Sequence, residues 1–258
     1  MKKSERQGLR TWVEISKKAI HANYRAFRNL VPKNVKILSV VKSNAYGHDI
    51  FQFAQELELC GVDMLAVDSL VEALALRKNK IKTPILVLGY TLPEMYEKAV
   101  KKNIHITLSS LSGLKNFLKT PYAYKIPIHI KVDTGMHRQG FMFSEKASVL
   151  KLLKVHHEKI IFAGLYTHFA SAKDPNDTGY TKKQISEFTS WIDDVRKNNF
   201  APIVHAGATG GVLAFNESHF DMVRVGIGMY GVYPSDAIEM HLKEKLKLTR
   251  SLLAPLVP

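Results

Sequence analysis

The feature that most constrains this chain is a regular alternation of short β-rich runs with helical patterns. Strand patterns fall at residues 36–42, 64–69, 84–89, 105–110, 126–134, 160–169, 203–209 and 222–230. Helical periodicity covers 49–59, 70–78, 92–101, 111–119, 144–156 and 180–198, with a short stretch near 211–216. Several strands are almost wholly apolar, as at Ile37, Leu38, Val40 and Val41, which suits parallel strands covered on both faces. Eight such units in series predict a (β/α)8 TIM-type barrel rather than a doubly wound sheet. No Gly-x-Gly-x-x-Gly opens the first helix, so a dinucleotide site loses its main support.

Two pieces stand outside this alternation. Trp12, Val13, Glu14 and Ile15 read as a short strand, followed by a helix to Leu30 that Ser16 can cap. At the other end, residues 242–258 begin an alternating segment at Leu246 and Leu248. A lone strand has no place in a closed barrel. The expectation is a barrel over 16–241, flanked by a strand segment (1–15) and by the start of a second, β-rich domain (242–258) mostly absent from the sequence.

Composition narrows the function classes. With 46% hydrophobic and 23% charged residues, the chain reads as globular rather than disordered. Cys60 is the only cysteine and sits in an apolar helical pattern, which predicts a buried thiol and excludes an intrachain disulfide or a cysteine metal site. No metal is expected. The apolar runs are strand-sized, far short of the roughly 20 residues that span a bilayer. Residues 1–10 are basic but precede no apolar core, so no signal peptide is read there and a cytoplasmic location is expected. The net charge of +14 raises nucleic acid as a partner. The lysines instead fall in short helical clusters (101–102, 182–183, 243–247) without an aromatic platform, which predicts a solvated surface and neither a nucleic-acid nor a membrane partner.

Barrel active sites lie at the C-terminal ends of the strands. Those ends supply Lys42, Ser69, Gly89, Tyr90, Ser109, residues 133–138, His168, 209–211 and 226–228. Lys42 closes an apolar run, and a desolvated amine is a nucleophile toward an aldehyde. A strand-end lysine reaching to solvent is the ordinary alternative. After strands seven and eight come Ala208, Thr209, Gly210 and Gly211, then Gly226, Ile227 and Gly228. Glycines there let backbone N–H groups approach an anion, although tight turns use them equally. A reactive lysine opposite a phosphate cradle is the layout a pyridoxal-phosphate site requires.

The residues 40–48, Val-Val-Lys-Ser-Asn-Ala-Tyr-Gly-His, resemble the pyridoxal-phosphate attachment motif of bacterial alanine racemases. Residues 131–140, 167–170 and 222–231 are similar to three further motifs of that family, in order, so the resemblance spans about 11–250. It implies that Lys42 holds pyridoxal 5'-phosphate as a Schiff base and is one of two acid/base groups. Tyr46, Thr209, Gly226 and Ile227 would hold the phosphate. Arg138 would lie near the cofactor's phenolic oxygen and the substrate carboxylate, positioned by Lys131, which matches a lysine that can be carbamylated. Arg224 would face the pyridine nitrogen, and His168 would bond Arg224 and the second base; singly, each reads as a core histidine or an ion pair. The family's second base is a tyrosine from the partner subunit's C-terminal β-domain, whose Ser-Tyr-Gly context is absent from these residues.

The implied activity is interconversion of L- and D-alanine for peptidoglycan, by a cytoplasmic homodimer in complete form, with little activity expected of this chain alone. Three departures bear on substrate preference: Ala208-Thr209 stands where the family usually has Asn-Ser, and His137 and Asp49 stand where glycine is usual. The alternatives are a non-catalytic pyridoxal-phosphate single barrel, a serine or broad-specificity racemase, and a barrel-type decarboxylase or D-amino-acid lyase. A decarboxylase would carry an acidic residue in place of Arg224.

Overall fold

Alternating side chains on a parallel strand point to opposite faces, and in this chain the two faces have different chemistry. The computed structural model describes residues 13–174, 178–244 and 246–253. Trp12 of the expected first strand and residues 254–258 of the expected C-terminal segment lie outside them. The strands are β1 (Glu14–Ile15), β2 (Lys36–Val40), β3 (Met64–Val67), β4 (Ile85–Val87), β5 (Ile104–Leu108), β6 (Pro127–Lys131), β7 (Ile161–Tyr166), β8 (Ile203–His205), β9 (Met222–Val225) and β10 (Leu252–Leu253). β2 to β9 form a closed, parallel, eight-stranded barrel in sequence order, with β9 returning to pair with β2. The expected (β/α)8 barrel is the observed fold.

One set of alternate residues, including Ile37, Leu65, Ile85, Ile106, Ile128, Val204 and Val223, packs outward into a continuous core beneath the helices. The other set fills the barrel, and it divides in two. Leu38, Val40, Met64, Ala66, Leu86 and Met222 make a separate apolar cluster. The same register on the opposite wall carries His105, Thr107, His129, Lys131, Tyr166, His205 and Arg224. An interior so divided supports the cavity on one side with tight packing and on the other with hydrogen bonds.

The strands are shorter than their sequence patterns. β2 stops at Val40 rather than Lys42, β7 at Tyr166 rather than 169, β8 at His205 rather than 209, and β9 at Val225 rather than 230. Past these points the chain leaves the ladder to form the mouth. Residues Ile227–Tyr230 wind into a 3-10 turn, and Thr209 opens the helix Thr209–Ala214.

The two outlying strands find each other. Glu14 pairs with Leu253 and Ile15 with Leu252, antiparallel and outside the barrel. The expected strand character at Leu246 and Leu248 is not observed; the strand begins at Leu252, after a segment tied down by side chains. Asn23 explains this anchoring. Its amide donates to the carbonyls of Met229 (3.1 Å) and Thr249 (2.8 Å), and its oxygen accepts from the Thr249 N–H. The Tyr233 hydroxyl donates to the Leu246 carbonyl, and Leu246 is buried.

Candidate active site

Lys42 stands at the start of an unusual turn. Within Lys42–Gly47, residues Ser43, Asn44, Ala45 and Tyr46 have φ of 52–54°, four successive L-residues in the left-handed region. That conformation costs about 1–2 kcal/mol per residue, so the surroundings must hold it. Ala45 is fully buried. The Ser43 N–H donates to Glu72 (2.6 Å), and Asn44 Oδ1 accepts from the Ile50 N–H (3.0 Å). The turn carries Tyr46 across the barrel mouth, where its ring lies 4.9 Å from that of Tyr230.

The mouth opens on a cavity of about 660 Å³. Lys42, Tyr46, Lys131, Arg138, His168, Thr209, Arg224, Gly226 and Ile227, expected from separate motifs, all line it. Ser69 does not join them; it caps the helix Leu70–Lys78 in a reciprocal box with Glu72. Asp133 also turns away from the cavity, its carboxylate accepting from the N–H groups of Gly135, Met136 and His137. Sequence reasoning gave no role to Asp68, Gln139 and Tyr166, which also line the space. Asp68 is the anionic partner of Lys42, 3.4 Å from Nζ.

Arg224 is held from several sides. One terminal nitrogen donates to His205 Nδ1 and the His205 carbonyl, each at 3.0 Å. The other faces the carbonyls of Thr167 (2.7 Å) and Ala206 (2.8 Å) and His168 Nδ1 (3.3 Å). These acceptors use both terminal nitrogens and leave the Nε–H. The guanidinium also lies 5.0 Å over the Tyr166 ring, and that ring stacks on His205. Burial lowers the Arg224 pKa to about 10, which leaves it charged at neutral pH.

The remaining electrostatics follow from crowding cations in a partly dry space. Burial, followed by Arg138 and Arg224, draws the Lys131 amine down to about 7. Burial, then Arg224 and Arg138, draws His168 down to about 3, so its imidazole is neutral. Opposite Lys42, Thr209 Oγ1 accepts from the N–H groups of Gly226 (3.2 Å) and Gly228 (3.3 Å). A Cβ on Gly226 would stand 3.2 Å from the Tyr46 hydroxyl, so glycine keeps phenol and backbone close. Hydroxyls, glycine backbone and cations thus gather in one cavity beside a primary amine.

The family model for the alanine racemase N-terminal domain matches residues 15–234. Alanine racemase 2 of Oceanobacillus iheyensis is 39% identical over 94% of this chain and 61% of its own length. Alanine racemase of Methanococcus maripaludis is 40% identical over 92% of this chain and 63% of its own. The structure of alanine racemase from Clostridium difficile 630 superposes with a TM-score of 0.86 at 33% identity, covering 95% of this chain and 64% of that one. The chain thus spans a little over three-fifths of the length of these relatives. Motifs, barrel and cavity agree with these likenesses: the chain belongs to the alanine racemase N-terminal domain family.

Proposed function

We propose that this chain is the cofactor-bearing barrel of an alanine racemase, acting on L- and D-alanine with pyridoxal 5'-phosphate. The observation that carries the reading is the single cavity joining the Lys42 amine, the donor-only Arg224 and the Thr209–glycine anion cradle. The donor set suits that cofactor. Tyr46, Thr209, Gly226 and Ile227 would hold its phosphate, and Lys42 would hold its aldehyde carbon. The free Nε–H of Arg224 matches a ring nitrogen that accepts a hydrogen bond.

When bound, the cofactor would supply an electron sink that lets an amino acid's Cα–H ionise. Lys42 Nζ would remove or return that proton on one face. Arg138 would orient the substrate carboxylate, a group its planar fork can grip with two parallel bonds. Arg224 donates only and stays charged, so it would keep the ring nitrogen unprotonated and favour proton return over amino transfer. Neutral His168 accepts from Arg224 and so can donate from Nε2 toward a second acid/base group on the opposite face. That group would come from the partner of a homodimer. Lys131, as a carbamate, would pair with Arg138.

The paired strands β1 and β10 support reading 1–15 and 242–258 as parts of a β-rich unit beside a barrel of 16–241. Among the described residues no helix is long and apolar enough to cross a membrane. The reading places the protein in the cytoplasm, supplying D-alanine for peptidoglycan.

The test is covalent trapping. Chain incubated with pyridoxal phosphate and then borohydride is expected to carry a stable adduct on the peptide containing Lys42. Lys42→Ala is expected to lose it. An adduct on another lysine, or none, would remove Lys42 from the site.

A further inference from the structure

Beneath the cavity, three imidazoles cross the polar half of the barrel. His205 Nε2 lies 3.0 Å from His129 Nδ1, and His129 Nε2 lies 3.1 Å from His105 Nδ1. The upper end of the row is His205 Nδ1, 3.0 Å from the Arg224 guanidinium. The lower end, His105, sits near the start of β5, within electrostatic reach of Arg77. His129 and His205 are fully buried and His105 is half-buried. Room for the row is reserved by Gly164, where a Cβ would stand 2.1 Å from His129 Nδ1.

The direction of this row follows from donor chemistry alone. A guanidinium only donates, so His205 Nδ1 must accept. A neutral imidazole that accepts at one nitrogen carries its proton on the other, so His205 donates from Nε2. His129 Nδ1 therefore accepts, its Nε2 donates to His105 Nδ1, and the last proton sits on His105 Nε2. No member can take a second proton without losing the bond from its upstream neighbour. Burial, which holds His129 and His205 well below the usual imidazole pKa, agrees with three neutral rings.

We propose that His205, His129 and His105 form a one-way hydrogen-bond chain ordered by Arg224, and that His129 is a positioning residue acting on Arg224 through His205. Each bond polarises the next, so the chain spreads part of the guanidinium charge down the barrel axis. It also fixes the plane of His205, and hence the direction of the Arg224 Nε–H. The use of that aim rests on the proposed function, in which Nε faces the cofactor ring; the chain itself does not.

The experiment uses the full 258-residue chain without cofactor, so a failed Lys42 adduct would leave its result unaffected. Long-range 1H–15N spectra of chain labelled at histidine and arginine are recorded at neutral pH, with assignments from single His→Gln substitutions. Pyrrole-type Nε2 and pyridine-type Nδ1 are expected for all three rings. A protonated Nδ1 on any of them overturns the chain. Arg224→Met is expected to turn the fixed order at His205, His129 and His105 into mixed tautomers; unchanged tautomers overturn Arg224 as the source. Should that variant not fold, His129 still decides. His129→Leu is expected to shift and broaden the Arg224 Nε–H resonance, whereas His129→Gln, which can accept and donate in turn, restores it. An Arg224 resonance unmoved by His129→Leu overturns the positioning role.

Discussion

Lys131 shows how much a residue owes to its neighbours. It is a buried lysine at the end of β6, its Nζ 5.9 Å from the Tyr166 ring, with Arg138 and Arg224 both repelling its charge. A pKa of about 7 leaves a large neutral fraction at physiological pH, and only the neutral amine attacks carbon dioxide. The product is an anion in a cavity rich in cations, so the reaction relieves the repulsion that lowered the pKa. In 13C-bicarbonate a carbamate carbonyl resonance is expected, lost in Lys131→Gln and weakening as pH falls from about 8 to about 6. A resonance that survives Lys131→Gln would assign the carbamate elsewhere. The motif marked this residue in the sequence; the lowered pKa was not legible there, because its main cause is burial and the arginines reach Lys131 only once the barrel closes.

At the scale of elements, the left-handed turn Lys42–Gly47 hangs on one carboxylate. Glu72 Oε1 accepts from the Ser43 N–H, while Oε2 accepts from the N–H groups of Asp68 (2.9 Å) and Ser69 (3.3 Å). Glu72 thus caps its own helix and also carries the turn that presents Lys42 and Tyr46. Glu72→Ala is expected to destabilise the chain by about 1–3 kcal/mol, the cost of a lost cap plus an unsatisfied amide. It is also expected to weaken retention of pyridoxal phosphate, with Glu72→Gln intermediate in both. Thermal unfolding and dialysis of the loaded chain measure the two effects; an unchanged midpoint in Glu72→Ala would show that the turn needs no such support. From the sequence Ser69 reads as a strand-end site candidate and Glu72 carries no role; the capping box between them is a finding of the structure. The second duty of Glu72 appeared only when β2 and β3 lay side by side.

For the whole molecule, the polar half of the barrel sets a pH limit. Burial first, then neighbouring cations, lowers His105 to about 4 and His168 to about 3; burial holds His129 and His205 well below the ordinary value of 6.5. The charged groups facing them are chiefly Arg224, with Arg138, Lys131 and Lys42 at His168 and Arg77 at His105. A depressed pKa means the unfolded chain binds protons that the folded chain refuses. Stability is therefore whole above about pH 6.5 and falls as pH drops from there toward about 4, by up to about 1.4 kcal/mol per pH unit for each such histidine. Although burial opposes the shift, an ion pair at Glu56 and hydrogen bonds at Glu58 and Asp133 lower these carboxylates as well, and their contribution is lost as pH falls below about 4.5, where the unfolded carboxylates take up protons. Urea unfolding at pH 7, 6 and 5 is expected to show this loss over an interval in which the histidines outweigh the carboxylates. A flat profile over that interval would mean the histidines are not held neutral.

The sequence by itself determined the barrel, because strand and helix periods are local and eight of them repeat in order. It also determined part of the cavity wall: Lys42, Arg138, His168, Thr209 and Arg224 were legible from position and motif, whereas Asp68, Gln139 and Tyr166 were not. The inward polar positions were there as well, His129 and Lys131 two apart on β6, but alternation says which face a residue takes and not which partner it meets. Tertiary structure alone decided three things. It joined β1 to β10 across most of the chain, held four L-residues in a left-handed turn through Glu72, and lined up histidines 24 and 76 positions apart into one hydrogen-bonded row. The physical reason is common to all three. Each depends on a hydrogen bond between groups remote in sequence, and such a bond has no local signature until the barrel closes and excludes water from around it.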